Sequence, residues 1–482
     1  MTVQLGSYQA LIPLVVASVW AVLVLIAEMF SAQRRYLAVG WLSIVGLALV
    51  AWVAGSGSVA DTFGEAIALD RFTIFFTQLV CAVSAVAVLM AMDYLPTTDV
   101  EGGEYYPLLL FAVVGLIVMA SATDLIVMFI GLETMSMAVY VLAGVWKRDM
   151  RSNEAALKYF LLGAFASAFM LYGIALIYAK AGTTVLADVS AAAQAVGDSS
   201  DLGLLHLGAG MLLAGFAFKV AAVPFHLWTP DVYEGAPSSV TAFMATAVKA
   251  GAFAAMVRTV TIALAPLGGS VTTLLWAGAA LTMTVGNVVA LRQTSLKRML
   301  AYSSVAHTGY ALVGLTAGTT EGGAAVLFYI AAYSAMNLGA FGVMMLVARR
   351  GNGAENIRDL AGLGQTSPML AVAMTICMLS LTGIPPLAGF MGKITLFAAA
   401  LEAGHVILVL IAVLNSVVSA AYYLGVVRVM YFDEGGLQPV GFAPHLGVAT
   451  AIAVIATVVL GLAPSGVMEA AEAALDTVLL GR

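Results

Sequence analysis

Long apolar stretches, each about the length of one membrane crossing, recur along the whole chain. Because about 20 apolar residues span a bilayer as a helix, this pattern predicts an all-α polytopic membrane protein with about fourteen transmembrane segments. Segments 7 and 12 are predicted to be broken, since proline removes a backbone hydrogen bond and the two segments contain VAAVPFHLWTP and LTGIPPLAGFMGK. The predicted segments are 8–30, 36–54, 72–92, 105–121, 123–145, 154–180, 204–234, 237–263, 270–291, 297–317, 322–348, 368–402, 404–430 and 444–463.

The composition excludes a soluble globular protein, because 62% of the 482 residues are hydrophobic and only 10% are charged. The two cysteines, Cys81 and Cys377, stand far apart, with no CxxC pair and no Cys/His cluster. No iron–sulfur, zinc or disulfide site is therefore indicated, and no P-loop or GxGxxG motif supports nucleotide binding. We expect neither a cofactor nor a metal in this chain, and no nucleic-acid partner.

The basic residues predict how the chain is oriented. Twelve of the twenty lysines and arginines fall at connections that follow odd-numbered segments. Since basic connections stay in the cytoplasm, we expect these connections inside and both termini outside. A segment missed in the middle would place the later basic residues at even-numbered connections. Their consistent position at odd-numbered connections therefore supports the count of fourteen. The twelve residues are Arg34, Arg35, Lys147, Arg148, Arg151, Arg292, Lys297, Arg298, Arg349, Arg350, Arg358 and Arg428.

The two predicted breaks indicate an internal repeat. They lie five segments apart, and each has a lysine nearby, Lys219 and Lys393. Because five is odd, matching units would cross the membrane in opposite directions, which is the inverted repeat of many transporters. The predicted units are segments 4–8 and 9–13, with segments 1–3 and segment 14 outside them. The corresponding ranges are 1–104, 105–263, 264–430 and 431–482.

Four ionisable residues lie deep in predicted segments: Glu133, Lys219, Lys249 and Lys393. A charge at the bilayer centre costs about 2.5–3.5 kcal/mol, so such residues usually serve ion movement. Glu133 needs a cationic partner, for which Lys219 is the natural candidate. The alternative is a purely structural ion pair. Lys249 has no carboxylate near it in sequence, which favours a switchable proton site over a cation permanently satisfied by carbonyls.

Polar side chains at helical spacing form one face of segment 10 and one of segment 11. Such faces can hold water, and histidine suits a proton relay, although His307 could also be purely structural. Lys158, about one turn inside segment 6, fits a snorkelling anchor as well as a proton path. His226 and Asp231 flank the first break, where they either line an entrance or satisfy broken backbone. The two polar faces consist of Ser303, His307 and Tyr310, and of Tyr329, Tyr333 and Asn337.

Several stretches closely resemble the antiporter-like subunits of respiratory complex I, the proton-pumping NADH:quinone oxidoreductase, and most closely its subunit N. The chain is also similar to the matching subunits of photosynthetic NDH complexes and, more distantly, to Mrp-type cation/proton antiporters. Lysine at position 393 speaks against subunit M, which has glutamate there. The absence of a long amphipathic tail speaks against subunit L. The resemblance covers about 120–430 and rests on FIGLETMSMAVYVL, NEAALKYFLLGAF, FKVAAVPFHLWTPDVYEGAPSSVTAFMATAVKAGAF, SLKRMLAYSSVAHTGYALVG and LTGIPPLAGFMGKITLF.

The resemblance implies a fourteen-helix subunit that translocates protons along a central axis formed by Glu133, Lys219, Lys249 and Lys393, with Lys158 as the matching helix 6 lysine. It implies an energy-coupling membrane, such as a bacterial inner membrane, and neighbours that include subunit M, small membrane subunits and lipids. Flavin, iron–sulfur clusters and quinone would belong to partner subunits. Two alternatives stay open: a sodium/proton antiporter subunit without redox coupling, and a passive structural spacer.

Overall fold

The computed structural model describes residues 5–30, 36–57, 62–63, 65–97, 103–196, 203–348, 355–435, 441 and 443–480. Within these ranges the protein is helical apart from a short antiparallel hairpin, Thr62–Phe63 with Ile67–Ala68. Arg34, Arg35, Arg349 and Arg350, which entered the orientation argument, lie outside the described residues. The helices, numbered in chain order, are α1 Ile12–Met29, α2 Tyr36–Ser56, α3 Arg71–Tyr94, α4 Tyr105–Ser121, α5 Leu125–Ala143, α6 Met150–Ala181, α7 Leu186–Val196, α8 Gly203–Val220, α9 Trp228–Gly235, α10 Ser238–Phe243, α11 Lys249–Ile262, α12 Gly269–Ala290, α13 Leu296–Thr316, α14 Thr320–Ala348, α15 Leu363–Thr366, α16 Pro368–Thr382, α17 Ala388–Glu402, α18 Val406–Phe432, α19 Pro444–Leu462 and α20 Ser465–Leu480.

The helices confirm the prediction of an all-helical integral membrane protein. Eleven spans in the described part of the chain are long and apolar enough to cross a membrane, and α4 and α16 are shorter apolar helices. Several helices begin where the sequence supplies an acidic or hydroxyl cap. Asp124 accepts hydrogen bonds from two backbone N–H groups at the start of α5, and Ser295 does so for one at the start of α13. Such caps satisfy donors that a helix start leaves open.

Both predicted breaks occur where the prolines stand. The first separates α8 from α9, and the second separates α16 from α17. Polar side chains of neighbouring helices satisfy the backbone groups that the first break frees. Thr308 Oγ1 donates to Val220 O at 2.6 Å, and Thr282 Oγ1 accepts from Val223 N at 3.0 Å. At the second break Gly383 adopts a positive φ of 95°, a conformation that glycine takes without strain.

Two spans form the centre of the molecule. The most apolar stretches of Ser238–Ile262 and Thr320–Ala348 are entirely buried. The first span contains α10, a π-helical turn at Met244–Val248, and α11. The second is α14, which packs against α3, α13, α16, α17, α19 and α20. Polar residues of α14 beyond its first turn therefore face protein rather than lipid.

Three helices in the described chain had no counterpart in the predicted segments, one of them the single turn α15. The short α7 follows α6, and α20 follows α19. Because α20 buries Ala471, Ala474 and Leu475, spaced three and four residues apart, it packs one face against α3 and α14. The region after the last predicted segment is thus an ordered amphipathic helix.

Candidate functional site

Lys219 lies in the last turn of α8 and is 3% exposed. Its ammonium donates to Ser136 Oγ at 2.6 Å and to Tyr140 OH at 3.1 Å, both on α5. Glu133, predicted to be deeply buried, is only half-buried, and its carboxylate instead accepts a hydrogen bond from Ser167 of α6. The expected direct pairing of Glu133 with Lys219 is therefore absent among the described ion pairs. Ser136, one turn further along α5, takes the place next to the ammonium, and the carboxylate acts on Lys219 only through its electrostatic field.

Aromatic rings surround the Lys219 ammonium. Its Nζ lies 5.1 Å from the ring centre of Tyr140, 5.6 Å from that of Phe218 and 5.8 Å from that of Tyr159. Cations within about 6 Å of an aromatic face are attracted by its negative π surface. The ring faces and the two hydroxyls together replace the water that the buried charge has lost.

Lys249, at the start of α11, is held by a single residue of α13. Its Nζ lies 2.5 Å from both the backbone oxygen and the hydroxyl of Ser304, and 5.7 Å from the ring centre of Tyr333. No carboxylate pairs with it among the described residues. The π-helical turn at Met244–Val248 ends directly before this lysine, and such turns occur frequently at functional sites.

His307 joins three helices through its two ring nitrogens. Nδ1 lies 2.6 Å from the Tyr329 hydroxyl of α14, and Nε2 lies 3.1 Å from the Tyr423 hydroxyl of α18. The Tyr423 hydroxyl is also hydrogen-bonded to Ser303. Two of the expected polar residues, Ser303 and Tyr329, are thereby linked to His307.

The other residues of the two polar faces lie around the same histidine. The ring centres of Tyr310 and Tyr333 are 5.7 and 5.0 Å from that of His307. The Tyr310 hydroxyl accepts a hydrogen bond from Asn287 at 3.1 Å. Asn337 lies one turn beyond Tyr333, fully buried, and its side-chain amide has no hydrogen-bond partner within the described chain.

Lys393, on α17, reaches back across the second break. Its ammonium donates to Leu381 O at 3.1 Å and Thr382 O at 2.8 Å, at the end of α16. It also lies 4.5 Å from the ring centre of Tyr310. A mainly apolar cavity of about 440 Å³ between α16, α17 and α18 has Lys393 among its lining residues.

Charged residues of α6, α9 and α13 line a cavity of about 290 Å³, which we name the charged vestibule. Lys158 pairs there with Asp231 at 2.9 Å and with Glu154 at 2.7 Å. Arg298 pairs with Asp231 at 3.0 Å and with Glu234 at 2.7 Å. The charged residues of the vestibule are Arg151, Glu154, Lys158, Asp231, Glu234 and Arg298.

Two further residues lie close to α9: His226 just before it in the chain, and Lys297 beside its end in space. His226, between α8 and α9, is 7% exposed, and its Nδ1 has no partner among the described residues. Lys297, predicted to flank a turn, is fully buried. Its ammonium donates to Glu234 O and Ala236 O at the end of α9, where a cation satisfies open carbonyls.

Several residues of the site escaped the sequence analysis, notably Tyr423, Ser304, Ser136 and Tyr140. Ser136 and Tyr140 follow Glu133 by three and seven residues, so helical spacing could have found them. Ser304 lies next to Ser303 but points to a different neighbour. Tyr423 belongs to α18, which carried no buried charge to draw attention to it.

The arrangement is a row of buried amines and hydroxyls that can exchange protons. Three lysines each have hydroxyl or carbonyl partners, and a histidine with two tyrosine partners stands between the second and the third. In the described ranges, no three His, Cys, Asp or Glu side chains converge as a metal site would require.

Comparison with known proteins identifies the family. A membrane-domain family profile described as NADH:quinone oxidoreductase/Mrp antiporter matches residues 122–419. The chain is 46% identical to NADH-quinone oxidoreductase subunit N of Trichlorobacter lovleyi, over 97% of both chains. The chain belongs to the NADH-quinone oxidoreductase subunit N family. The subunit N protein of Chloroflexus aggregans is 44% identical, over 98% of this chain and 97% of its own length.

Solved structures agree with membership of the subunit N family. A chain of respiratory complex I from Thermus thermophilus with bound Aureothin superposes with a TM-score of 0.80 at 34% identity, covering 95% of this chain and 99% of that one. A chain of the Mrp complex from Dietzia sp. has a TM-score of 0.82 at 22% identity, covering 99% and 98%, and shares the fold. As a member of the subunit N family, the chain is a membrane subunit of an NADH-quinone oxidoreductase.

Proposed function

We propose that this chain translocates protons across an energy-coupling membrane as part of NADH:quinone oxidoreductase, driven by quinone reduction in other subunits. The observation that carries the proposal is the way in which the buried lysines are held. Lys219, Lys249 and Lys393 hydrogen-bond to hydroxyls and backbone carbonyls. Because no carboxylate neutralises them within the described chain, each can release its proton without leaving an unpaired anion behind.

Polar groups connect the first two lysines. Lys219 lies beside Val220, whose carbonyl accepts from Thr308 Oγ1. The same hydroxyl is 3.2 Å from Ser304 O, and Ser304 holds Lys249. A rearrangement around either lysine therefore reaches the other through Thr308. The Glu133 carboxylate would bias this end of the row through its field.

A second set of groups leads from Lys249 towards Lys393. Tyr333 lies beside both Lys249 and His307, and Tyr310 lies beside both His307 and Lys393. Tyr423 links His307 to Ser303. The amide of Asn337 is buried without a described partner, and buried polar groups of this kind commonly hold ordered water. We infer that His307, Tyr329, Tyr333 and Asn337 form the hydrated part of the route. Moving one proton against 100 mV costs about 2.3 kcal/mol.

The same proposal includes the finer architecture. Fourteen segments would cross the membrane, with inverted units at 105–263 and 264–430 flanked by 1–104 and 431–482. The positions of the two broken segments support the repeat, and the basic connections support cytoplasmic odd-numbered connections with both termini outside. Protons would then move from the cytoplasm to the outside.

The partners would be other membrane subunits of complex I, an antiporter-like subunit M and small membrane subunits among them, together with lipids. Flavin, iron–sulfur clusters and quinone would be bound by those partners. The similarity to a chain of a respiratory complex I structure supports this assignment. Co-purification of the tagged chain, with identification of the proteins that accompany it, tests it.

A sodium/proton antiporter of the Mrp type is the second candidate. The shared fold with a chain of an Mrp complex favours it, while the higher identity to full-length subunit N relatives favours complex I. Genes for quinone-site and iron–sulfur subunits beside this gene would support complex I. A cluster of small antiporter genes would support the second candidate.

The decisive experiment replaces Lys219 or Lys249 by alanine in the assembled complex, reconstituted into vesicles. We expect NADH-driven proton uptake to fall at least about tenfold, since each change removes one proton site from the row. Lys147→Ala is the control, because that side chain is 70% exposed at the surface. Normal pumping by assembled Lys219→Ala complexes would instead favour a passive spacer.

A further inference from the structure

The charged vestibule lies close to Lys219, which is not among the residues that line it. Lys158 lines the vestibule, and the next residue, Tyr159, is fully buried with its ring 5.8 Å from the Lys219 ammonium. Asp231 also lines the vestibule, and Trp228, one turn before it, is 3% exposed. What separates the two charged regions is therefore a small number of aromatic side chains.

Tyr159 and Trp228 stack face to face across α6 and α9. Their ring centres are 4.3 Å apart, with an angle of 9° between the planes. The Trp228 indole N–H donates to Phe218 O at 3.0 Å, one residue before Lys219. The indole is thus attached both to the helix that carries the lysine and to the ring beside the vestibule. We name the stacked pair Tyr159 and Trp228 the aromatic barrier.

One polar atom of the barrier and one next to it have no hydrogen-bond partner in the described chain. The Tyr159 hydroxyl and Thr229 Oγ1, on the residue after Trp228, are both buried and lack a hydrogen bond among the described residues. Buried hydroxyls are nearly always hydrogen-bonded, to protein or to ordered water. A phenylalanine at position 159 would close this boundary without burying an unpaired hydroxyl. The hydroxyl therefore indicates that a polar molecule such as water reaches the barrier.

The α9 helix is a short element between two interruptions of the chain. It has only eight residues and is bounded by the break on one side and Pro237 on the other. Cations hold α9 in place: Lys158 and Arg298 bind its carboxylates, and the buried Lys297 binds carbonyls at its end. A rearrangement of these ion pairs would shift α9 and carry Trp228 with it.

We propose that the charged vestibule is the water-side entrance to Lys219, and that the aromatic barrier closes it until α9 shifts and water reaches the Tyr159 hydroxyl. This inference rests on the proposed proton translocation and adds its point of entry. Tyr159 is then a relay between the entrance and Lys219, and Trp228 is a positioning residue that controls access without exchanging protons.

Access is measured with a reporter cysteine next to Lys219. In the whole complex, Cys81 and Cys377, both buried, are replaced by alanine, and Ser136→Cys provides the only thiol of this chain. A charged, membrane-impermeant methanethiosulfonate is then applied to sealed vesicles of either orientation. We expect Trp228→Ala to raise the labelling rate at least about tenfold, only from the side that carries the vestibule.

Phe253→Ala is the matched control, because Phe253 is a fully buried aromatic residue of α11 outside the barrier. We expect it to change labelling less than about twofold. Equal acceleration by both alanine variants would mean general loosening of the protein, and no acceleration by Trp228→Ala would mean that no barrier stands there. Either result overturns the proposal.

A milder variant tests the hydroxyl and avoids any large cavity. Tyr159→Phe keeps the ring stack, so labelling of the reporter should stay unchanged, whereas pumping should fall about tenfold with the loss of one relay group. Tyr178→Phe, on the exposed part of α6, is the control. Normal pumping by Tyr159→Phe overturns the relay. If Lys219→Ala still abolishes pumping in that case, the proposed function stands and only this entrance is wrong.

Discussion

The two broken segments hold their lysines in different ways. Lys219 precedes its break, on α8, and its ammonium binds the side chains of Ser136 and Tyr140. Lys393 follows its break, on α17, and binds the backbone carbonyls of Leu381 and Thr382. One lysine is therefore positioned by its neighbours' hydroxyls, and the other by the break itself.

The difference shows that the backbone groups freed by a helix break can be satisfied either by neighbouring helices or by the lysine itself. At the first break the freed groups are satisfied by Thr308 and Thr282 of other helices, which leaves Lys219 to respond to α5 and its carboxylate. At the second break the lysine itself satisfies the carbonyls. We expect the first site to depend on side-chain chemistry, and the second on backbone geometry.

Removing each lysine should give the largest effects and separate the two roles. Lys219→Met and Lys393→Met should both lower proton pumping at least about tenfold, because each removes a proton site. Only Lys393→Met should also loosen the fold, since it leaves two buried carbonyls without a donor, at about 1–3 kcal/mol each. The measurement is vesicle acidification together with the temperature at which the subunit is lost from the purified complex. Equal thermal loss in both variants would contradict the comparison.

Removing the partners of Lys219 should have the next largest effect. The double variant Ser136→Ala/Tyr140→Phe deletes both hydroxyl acceptors, and we expect pumping to fall about tenfold. Thr382→Ala is the control, because Thr382 holds Lys393 through its backbone oxygen, which alanine retains. It should change pumping less than about twofold. A larger loss in Thr382→Ala than in the double variant would reverse our assignment of the two sites.

The hydrogen-bonded groups around His307 should be moderately sensitive. Tyr423→Phe removes the hydroxyl that bonds both His307 and Ser303, and pumping should fall about fivefold, as expected for one or two lost hydrogen bonds. Tyr422→Phe is the neighbouring control, since its hydroxyl donates to Asn287 instead. If both variants behaved alike, His307 would not lie on the route.

A buried ion pair away from both breaks provides the smallest expected effect on pumping. Arg258 of α11 pairs with Asp70 at 2.7 Å. Asp70→Asn should lower stability, because removing one partner of a buried pair costs about 3–5 kcal/mol, and should leave pumping within about twofold. Loss of pumping in stable Asp70→Asn complexes would show that any buried charge matters, on the axis or off it.

The pH dependence of that pair has a definite sign. Burial raises the pKa of the Asp70 carboxyl, but the Arg258 guanidinium and hydrogen bonds from Arg258 and Thr73 outweigh burial, so the pKa lies below its ordinary value. The stabilisation is therefore fully present above about pH 4 and is lost as the pH falls through the lowered value. Thermal stability of wild type and Asp70→Asn should differ by a constant amount between about pH 5 and pH 8.

Much of the fold could be predicted because the membrane imposes simple lengths and because proline interrupts helices. The break positions and the depth of Lys219, Lys249 and Lys393 followed from these two rules. Helix α20 could not be predicted by length, since its sixteen residues are too short for a crossing and contain acidic side chains. Its order comes from packing against distant helices, which local sequence does not report.

The charged residues of the site could be predicted from the sequence, but their hydrogen-bond partners could not. The sequence predicts that Glu133 and Lys219 lie deep in their segments, but not that Glu133 is only half-buried or that the Lys219 ammonium binds Ser136. Tyr423 joins His307 from a helix more than a hundred residues away, so only the tertiary fold brings them together. Buried hydroxyls are ambiguous in sequence because they serve helices, caps and sites alike.

The Thr308 hydroxyl has one hydrogen and two carbonyls within reach: Val220 O at 2.6 Å and Ser304 O at 3.2 Å. It cannot serve both fully, so strengthening one contact weakens the other. The first carbonyl belongs to the end of α8 beside Lys219, and the second binds Lys249. A change at either carbonyl therefore alters the hydrogen bond at the other, so this single hydroxyl couples the surroundings of the two lysines.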